Sequence, residues 1–502
     1  MKRQLRRALA CLALCALLAG GLASPASAAF RDVPAGHWAA DSIRRCVELG
    51  IFNGESAASF GVGHEMTRSA FAVVLCRVFG WETPAPAQAV YQDVPVTAWY
   101  AGAVQAAYDH GALTSQREDF RPGDPITREE LAVMLVRALG YGSIAGLAQD
   151  LPTPFEDVTT NSGYIAMACD LGLMDGTSAT AFSPEKTAPR EQVAVILTRL
   201  YDKLHSAAPG KVGIASSAEA LADLTGFDAV AVSAGKLISA GKPRVTPTMD
   251  EEAAGAIRAA AKQAGAKTLL YVTGGTTALG GSAAETASVL AAAVESGGYD
   301  GVFLDIPKLK NDRQYALVKL MKALRPAMGD KLLYLMVEAP VWQGTAYKGY
   351  DYAALGACAD RLVVRVAAYE SAAGDFPTAP VDPLEEVYYA LDSLRGLVDS
   401  GKLSLLITAD GSAWTGGRKS GTPSGGEIEA LLAREDTAAY YSDRYACAYL
   451  SAASEDGKPL VVWYLDRRAA AERRQMAACF GVDQVCLSEL EDLSPDLLAG
   501  LQ

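Results

Sequence analysis

The sequence has little of the chemistry that metal sites and disulfide-bonded scaffolds require. Nine cysteines and four histidines occur among 502 residues, and no two cysteines form a CxxC pair. Two of the cysteines lie in the apolar N-terminal segment, which leaves an odd number, seven, mostly in apolar periodic stretches. Zinc sites need closely spaced cysteine and histidine ligands, and small disulfide-bonded folds need paired cysteines. We therefore expect buried cysteines that pack as small apolar side chains, and neither a metal nor a cofactor.

Positive charge is also scarce. Lysine and arginine number 45 against 58 aspartates and glutamates, which gives a net charge of -13 at pH 7. Nucleic-acid binding requires clustered positive charge, so this composition argues against a nucleic-acid partner, although it allows a local cationic pocket. The length and the 50% hydrophobic content indicate a globular chain of several domains.

Long apolar runs are almost absent, and the one that occurs is N-terminal. Residues 8–22 are apolar, a basic stretch precedes them, and the small residues Ala26-Ser27-Ala28 follow. This pattern is typical of a secretory signal peptide, here residues 1–28, and the run is short for a membrane span of about 20 residues. We expect an exported, soluble mature chain with no membrane partner, with an uncleaved anchor as the alternative.

The first part of the remaining chain repeats three times. An aromatic-x-Asp-Val element opens each copy at Phe30, Tyr91 and Phe155. Each copy continues with a helical pattern that ends at a glycine, which suits a left-handed helix C-cap, and then with a phenylalanine. Eight residues after each phenylalanine an arginine begins a second helical pattern, at Arg68, Arg128 and Arg190.

This order of elements resembles the S-layer homology (SLH) module, in three copies that we place at residues 29–82, 88–142 and 152–201. The resemblance implies an all-α, pseudo-threefold unit that binds the anionic secondary cell wall polysaccharide of a Gram-positive-type bacterium. In the family, the arginine of a Thr-Arg-Ala-Glu motif meets the acidic sugar of the polymer. Here only Thr127-Arg128-Glu129-Glu130 keeps the final glutamate.

The residue chemistry agrees with an anion site. A guanidinium beside the free N–H groups of a helix N-terminus attracts anions, so Arg68, Arg128 and Arg190 are candidate polymer-binding residues. A solvated charge at a helix start is the alternative for each of them. Trp38 and Trp99 offer flat faces for stacking on sugars, and core packing is equally compatible. The third copy lacks the tryptophan and the threonine, so we expect its pocket to be the weakest.

A linker at residues 202–210 precedes a change of pattern, and residues 211–502 alternate strands with helices. Eight strands alternating with helices predict a (β/α)8 TIM barrel, with a doubly wound open sheet as the alternative. The strand candidates are Val212–Ala215, Ala229–Ser233, Thr268–Thr273, Gly301–Ile306, Lys331–Val337, Arg361–Val366, Leu403–Thr408 and Val485–Leu487.

Several phrases of this barrel resemble glycoside hydrolase family 18, above all residues 299–305, Tyr-Asp-Gly-Val-Phe-Leu-Asp. In active members the motif Asp-Gly-x-x-x-Asp-x-Glu ends in the glutamate that protonates the leaving oxygen, and the preceding aspartate helps to orient the N-acetyl group of the substrate. Asp300 and Asp305 match the motif, but Pro307 occupies the glutamate position. Proline has no proton to donate, so the retaining mechanism of the family is not available in its usual form.

Two charges occupy strands of the predicted barrel, Glu338 and Arg365. Alternation places Arg365 on the interior face, where a buried arginine needs a partner, and we predict Asp305 or Glu338. Three interpretations stay open. They are a structural ion pair in an emptied site, a repurposed ligand site that uses Arg365, Glu338 and Asp305, and a relocated acid at Glu338. Asp300 is a further candidate ligand-binding residue of the barrel.

Trp342 and Trp414 follow strand ends, where barrels bind ligands, and are candidates for stacking on sugars. The sequence thus predicts a wall-anchored protein whose inactive glycosidase-like barrel binds a glycan, such as peptidoglycan or another N-acetylated glycan, or serves as a scaffold. The alternatives are an active cell-wall or chitin-type N-acetylglucosaminidase with a substitute acid, and a purely structural S-layer component.

Overall fold

A computed structural model describes residues 30–502, except for residues 115–118, 152, 220, 240–241, 343–344 and 367–377. The predicted signal peptide, residues 1–28, lies outside the described residues. The chain divides into two compact units, the first ending at Leu204 and the second beginning at His205. Among the described helices, none is both long and apolar enough to cross a bilayer.

The N-terminal unit is built from helices joined by turns. The helices are α1 (Ala40–Glu48), α2 (Arg68–Phe79), α3 (Ala101–Asp109), α4 (Arg128–Ala138), α5 (Gly142–Leu147), α6 (Ser162–Asp170) and α7 (Arg190–Leu204). Each sequence repeat contributes two of these helices, and α5 is an additional short helix after the second repeat. A 3₁₀ turn, Ala148–Asp150, follows α5.

The helix ends form where the sequence predicts them. Thr67 and Thr127 are the N-caps of α2 and α4, and each hydroxyl accepts a hydrogen bond from the backbone N–H three residues on, at 3.2 Å. The glycines that follow the first helix of each repeat, Gly50, Gly111 and Gly172, have φ of 71°, 75° and 67°. Only glycine adopts this left-handed conformation without steric cost, which explains its recurrence at that point of the repeat.

The aspartate of each opening element fastens a distant loop of its own repeat. Asp32 accepts hydrogen bonds from the backbone N–H groups of Phe60 at 2.9 Å, Gly61 at 2.7 Å and Val62 at 3.0 Å. The corresponding bonds run from Phe120 to Asp93 and from Phe182 to Asp157, each at 2.8 Å. Burial raises the pKa of Asp32, but the hydrogen bonds from Val62, Phe60 and Gly61 outweigh it and hold that pKa far below its usual value.

A closed ring of backbone hydrogen bonds joins the three repeats. The N–H of Met66 donates to the carbonyl of Ala188 at 3.1 Å, Ala188 donates to Ile126 at 3.0 Å, and Ile126 donates back to Met66 at 2.8 Å. Each of the three residues stands two positions before an arginine-led helix. The three helices therefore start from one centre, and each repeat supplies one third of the ring.

The second unit is a closed barrel of eight parallel strands, as predicted. The barrel strands are β1 (Gly210–Ala215), β2 (Ala229–Ile238), β4 (Lys267–Gly274), β5 (Gly301–Asp305), β6 (Leu332–Glu338), β7 (Arg361–Arg365), β8 (Leu403–Ile407) and β14 (Gln484–Leu487). β1 pairs with both β2 and β14, which closes the sheet and excludes the open doubly wound alternative. β2 runs beyond its predicted end because its outer half pairs with β3 (Arg244–Pro247).

Helices surround the barrel, and most of its interior is apolar. The helices are α8 (Glu251–Gln263), α9 (Ala283–Ser296), α10 (Gln314–Met328), α11 (Tyr352–Cys358), α12 (Leu384–Leu394), α13 (Gly425–Leu432), α14 (Arg467–Cys479) and α15 (Pro495–Gly500), with 3₁₀ turns at Thr276–Leu279, Asn311–Arg313 and Ser400–Lys402. Phe303 is fully buried in the interior, with ring centroids 5.1 Å from Tyr271 and 5.9 Å from Tyr334. Six of the seven cysteines in the described part of the chain are buried, as expected of small apolar side chains.

An antiparallel sheet lies between β8 and α14 in the chain, and the sequence analysis did not anticipate it. Its strands are β9 (Ser412–Thr415), β10 (Arg418–Gly421), β11 (Ala438–Ser442), β12 (Cys447–Ala453) and β13 (Pro459–Tyr464), in the order β10-β9-β13-β12-β11. A small core that includes Ile428, Leu450 and Val462 packs beneath it.

Candidate functional sites: an arginine-lined groove and the carboxyl end of the barrel

The three predicted arginines each reach across to another repeat. The Nε of Arg68 donates to the carbonyl of Phe120 at 2.7 Å, and its guanidinium lies 5.0 Å from the centre of that ring. Arg128 contacts Phe182 in the same way at 2.8 and 4.5 Å, and Arg190 contacts Phe60 at 2.9 and 5.0 Å. The arginine of the first repeat thus binds the second repeat, that of the second binds the third, and that of the third binds the first.

These contacts bury the arginines, so they are not solvated charges at helix starts. Only 12% of the Arg68 side chain and 13% of the Arg190 side chain are exposed, and Arg128 is buried. Burial lowers the pKa of Arg128 and of Arg190. Arg68 also pairs with Glu130 at 2.6 Å. All three arginines therefore stabilise the unit, and a ligand can reach only the part of each guanidinium that stays exposed.

A groove of about 440 Å³ opens beside Arg68. Its lining includes three arginines, Arg68, Arg121 and Arg137, and four acidic residues, Asp119, Glu129, Glu130 and Glu185, together with Tyr91, Thr114 and Phe120. Glu130 forms ion pairs with both Arg68 and Arg121. Burial raises the pKa of Glu130, but the backbone bond from Thr127 and the charge of Arg68 lower it below the usual value.

Arg137 is a groove residue that was not predicted from the sequence. It stands nine residues after Arg128, and the same spacing separates Arg68 from Arg77 and Arg190 from Arg199. This second threefold recurrence could have been read from the sequence. The family resemblance rests on the first arginine of each helix, and Arg137 lies outside that motif.

The two predicted tryptophans are surface residues. Trp38 is 62% exposed and Trp99 is 71% exposed, so core packing is excluded for both. Neither lines the groove beside Arg68. In the third repeat the corresponding residue is Gly163, and a Cβ there would lie 2.0 Å from the carbonyl oxygen of Ala145. Helix α5 therefore occupies the space that a tryptophan side chain would need.

At the carboxyl end of the barrel, Arg365 binds two carboxylates. Its Nη2 lies 2.5 Å from Oδ2 of Asp305, and its Nη1 lies 3.0 Å from Oε1 of Glu338. The predicted partners of Arg365 are thus both confirmed. Burial alone would lower the pKa of Arg365, but Asp305 and then Glu338 raise it above its usual range.

Further polar groups fix this triad. The hydroxyl of Tyr271 donates to Asp305 at 2.6 Å, and the backbone N–H of Lys308 donates to Glu338 at 3.3 Å. Burial raises the pKa of Tyr271, and the nearby Asp305 charge raises it further. The three charged groups end strands β5, β6 and β7, at the end of the barrel where TIM-barrel enzymes place their chemistry.

The structure separates the other predicted barrel residues from this triad. Asp300 precedes β5 at the opposite end of the strand, about 17 Å away at 3.3–3.4 Å per residue, and accepts a hydrogen bond from the N–H of Thr268 at 2.8 Å. It is therefore not part of a ligand site with Asp305. Trp414 lies in β9 and is only 3% exposed, so it offers no stacking face, which corrects that expectation.

Trp342 and Pro307 follow their strands as predicted. Trp342 is partly exposed, its ring lies 5.9 Å from that of Tyr389, and its backbone N–H donates to the carboxylate of Glu386 at 2.7 Å. Pro307 stands two residues beyond Asp305, past the carboxyl end of β5. In the described part of the chain, no group of three or more histidine, cysteine, aspartate or glutamate side chains is arranged to hold a metal ion.

Comparison with known proteins assigns the first unit by sequence. The S-layer homology domain matches residues 29–72 and 91–132. An S-layer protein of Bacillus thuringiensis subsp. finitimus is 30% identical over 190 residues, which covers 37% of this chain and 23% of that protein. An endoglucanase of Bacillus sp. strain KSM-635 is 31% identical over 190 residues, which covers 35% of this chain and 19% of that protein. The match thus spans less than a quarter of the length of either relative.

The second unit is assigned by its fold. A class V chitinase from Pseudomonas fluorescens Pf-5 superposes with a TM-score of 0.52 at 18% identity, covering 59% of this chain and 99% of that one. The superposition establishes the fold, and the 18% identity leaves the activity open. The chain therefore carries S-layer homology domains and, after them, a (β/α)8 barrel with the fold of a chitinase.

Proposed function

We propose that three SLH repeats hold this protein non-covalently at the cell surface by binding an anionic secondary cell wall polysaccharide. We also propose that its barrel is a catalytically inactive, glycosidase-like domain that binds a glycan or serves as a scaffold. The repeats would form one pseudo-threefold unit with binding surfaces at Arg68, Arg128 and Arg190. Trp38 and Trp99 would add sugar-stacking faces.

The anchoring role is supported by the domain matches together with the chemistry of the groove. S-layer proteins are among the relatives that share the first unit. The groove beside Arg68 brings three guanidinium groups to one surface of a chain whose net charge is -13. The groove also carries four carboxylates, so an anionic ligand would be bound by individual guanidinium groups and not by a net positive field.

The observation that carries the proposal for the barrel is the pairing of Arg365 with both Asp305 and Glu338. General acid catalysis needs a group that holds a proton and can deliver it to the leaving oxygen, and it contributes about 10²–10⁴-fold to the rate. Pro307 cannot supply that proton, and the two nearby carboxylates are bound by a guanidinium. Partly exposed Trp342 would then serve binding rather than turnover.

The anchoring role is tested by sedimentation of the mature protein with purified cell walls. Because Trp38 and Trp99 are exposed, their double alanine variant should remain folded and pellet less with walls. Tyr315→Ala, on the equally exposed Tyr315 of the barrel, is the matched control and should pellet normally. Walls stripped of the secondary polymer should retain none of the three proteins, that is, the wild type, the double tryptophan variant and the Tyr315→Ala control. Equal pelleting with stripped and intact walls would refute the anchoring role.

The barrel is tested with peptidoglycan and chitin oligosaccharides, assayed for both turnover and binding. We expect no hydrolysis, and binding that Trp342→Ala weakens if the barrel is a glycan receptor. Hydrolysis that Glu338→Gln abolishes would instead establish an enzyme with a relocated acid. Absence of both turnover and binding would favour a purely structural component.

A further inference from the structure

A small cavity lies at the amino end of the barrel, at the opposite end from Arg365 and its two carboxylates. Its volume is about 180 Å³, and it lies between the segment that leads into β1, the last turns of α14 and the turn that leads into β14. Most of its lining is small and apolar, and includes Ala207, Ala208, Pro209, Ala477, Ala478 and Val482. Pockets for drug-sized ligands typically measure roughly 300–1,000 Å³, so this cavity suits a molecule with only a few heavy atoms.

Backbone hydrogen bonds hold the walls of this cavity. The N–H of Gly210, at the start of β1, donates to the carbonyl of Asp483 at 2.8 Å. After α14, the N–H groups of Gly481 and Val482 donate to the carbonyls of Ala478 and Ala477, each at 3.0 Å. Gly481 has a φ of 76°, in the left-handed region that glycine adopts most readily. The cavity is therefore preformed, because the backbone itself fixes the segments around it.

Arg474 lines the cavity and has a donor that is not used. The side chain is half-buried, and its Nε is buried and has no hydrogen-bond partner in the described part of the chain. The neighbouring Arg473, which is fully buried, donates instead to the backbone carbonyls of Asp382, Tyr445, Ala446 and Ala469. Asp483 also lines the cavity, but its carboxylate pairs with Arg361 at 2.6 Å. A buried donor without an acceptor is costly, so a ligand that supplies the acceptor is favoured.

The chemistry of the lining selects a carboxylate. A guanidinium presents two parallel N–H groups along one edge, and these match the two oxygens of a carboxylate. The alanine, proline and valine side chains of the walls suit an apolar group attached to that carboxylate, because the contact removes both from water. A phosphate would bring further charged oxygens against these apolar walls and would lose their hydration. The carboxyl-terminal end of α14 carries partial negative charge, so binding of an anion here depends on the guanidinium.

We propose that this cavity is a binding site for a small aliphatic carboxylate, held by the guanidinium of Arg474. Two kinds of molecule carry such a group. One is a free short-chain carboxylic acid, and the other is a peptide whose C-terminal residue is alanine or another small apolar residue. The site is at the amino end of the barrel, so it is independent of the glycan binding proposed for the carboxyl end. A bound carboxylate supplies the acceptor that Arg474 lacks and contacts both α14 and the segment before β1.

Heteronuclear NMR of the full mature protein, isotope-labelled at arginine, observes the site directly. A buried Nε–H exchanges slowly with water, and the signal of Arg474 is identified as the one that the Arg474→Lys variant lacks. Propionate tests the free acid, acetyl-alanyl-alanine tests the peptide terminus, and propionamide is the uncharged control of the same shape. Inorganic phosphate and sodium chloride are the control anions. We expect a saturable shift of the Arg474 signal with at least one carboxylate, and none with propionamide or with chloride at the same ionic strength.

Three variants locate the ligand, with binding measured by titration calorimetry and folding by thermal melts. Arg474→Lys keeps the charge and loses the planar fork, so it should bind the carboxylate about tenfold or more weakly, as expected for the loss of a charge-assisted hydrogen bond. Ala478→Leu fills the cavity from another wall and should abolish the shift of the Arg474 signal. Arg467→Gln, at an exposed arginine of the same helix, is the matched control and should bind as the wild type does.

The outcomes decide both the site and the kind of ligand. A shift with propionate alone identifies a free acid, and a tighter response to acetyl-alanyl-alanine identifies a peptide terminus. The proposal is overturned if neither carboxylate shifts the Arg474 signal, if propionamide or chloride shifts it equally, or if phosphate binds more tightly than both carboxylates. Unchanged binding by folded Ala478→Leu would place the ligand outside the cavity and would also overturn it, as would an equal loss in Arg467→Gln.

Discussion

Replacing Arg365 with methionine should destabilise the barrel strongly. Asp305 and Glu338 expose only 6% and 5% of their side chains, and each has Arg365 as its cationic partner. Removing one partner of a buried pair typically costs about 3–5 kcal/mol, because a charge is left buried and unpaired. Here a single change leaves two carboxylates, so we expect the upper part of that range. For a unit of about 300 residues, an unfolding entropy of about 2.1 cal/mol/K per residue makes this loss a fall in Tm of about 6–8 °C.

The assay is thermal unfolding of the mature protein, followed by circular dichroism and calorimetry. The matched control is the triple variant Arg365→Met, Asp305→Asn, Glu338→Gln, which removes all three charges. It should recover most of the lost stability, because it leaves no buried charge without a partner. The deficit of the single variant should also shrink at acidic pH. A buried carboxylate without a cation has a raised pKa in the folded state, so it becomes protonated and ceases to be costly as the pH falls.

Two results would refute this reasoning. One is an Arg365→Met variant within about 1 kcal/mol of the wild type, which would mean that solvent reaches and stabilises the two carboxylates. The other is a triple variant as unstable as the single one. In that case the arginine would matter for its packing and not for its charge.

Three further predictions concern single residues. Asp32→Asn should lower the Tm of the N-terminal unit at neutral pH and flatten its acid dependence. The pKa of Asp32 is depressed in the folded state, so its contribution is present above the unfolded pKa and is lost as the pH falls, which melts from neutral to acidic pH will show. Gly163→Ala should cost about 1–3 kcal/mol in denaturant unfolding, because its Cβ would lie 2.0 Å from the carbonyl of Ala145, and an unchanged midpoint would show that α5 yields freely. Pro307→Glu alone should not hydrolyse chitin oligosaccharides, because Arg365 still binds both nearby carboxylates. If the variant has residual turnover, replacing Arg365 as well should increase it. Full activity of Pro307→Glu alone would show that the proline by itself accounts for the inactivity.

The eight barrel strands could be predicted because their buried residues form short apolar runs separated by helical patterns. Strand β10 (Arg418–Gly421) of the inserted sheet could not, since it is exposed along its whole length and has no apolar signature, whereas β13 (Pro459–Tyr464) has an apolar run and could have been predicted. Strand β10 forms because it pairs with its neighbour β9, and the periodicity of the sequence does not reveal that pairing.

For the sites, the sequence indicated which residues matter better than it indicated where they lie. Alternation along β7 placed Arg365 inside the barrel, and the carboxylates that end neighbouring strands were its natural partners. Asp300 was misassigned because closeness in a motif is not closeness in space, and Trp414 because it belongs to a strand of its own. The cross-repeat contacts of Arg68 depend on how the repeats associate, which no single repeat encodes.

The backbone ring of Met66, Ile126 and Ala188 has a consequence for how the N-terminal unit folds. The ring closes only when Met66 and Ala188, which are 122 positions apart, come into contact. Forming the last bond of the ring therefore costs the entropy of closing a loop that spans most of the unit. A chain truncated to two repeats would leave one buried donor and one buried acceptor unpaired, and each such group is costly. Folding of the unit should accordingly be all-or-none and comparatively slow. The third repeat is then required for closure of the unit, whatever its own affinity for a ligand.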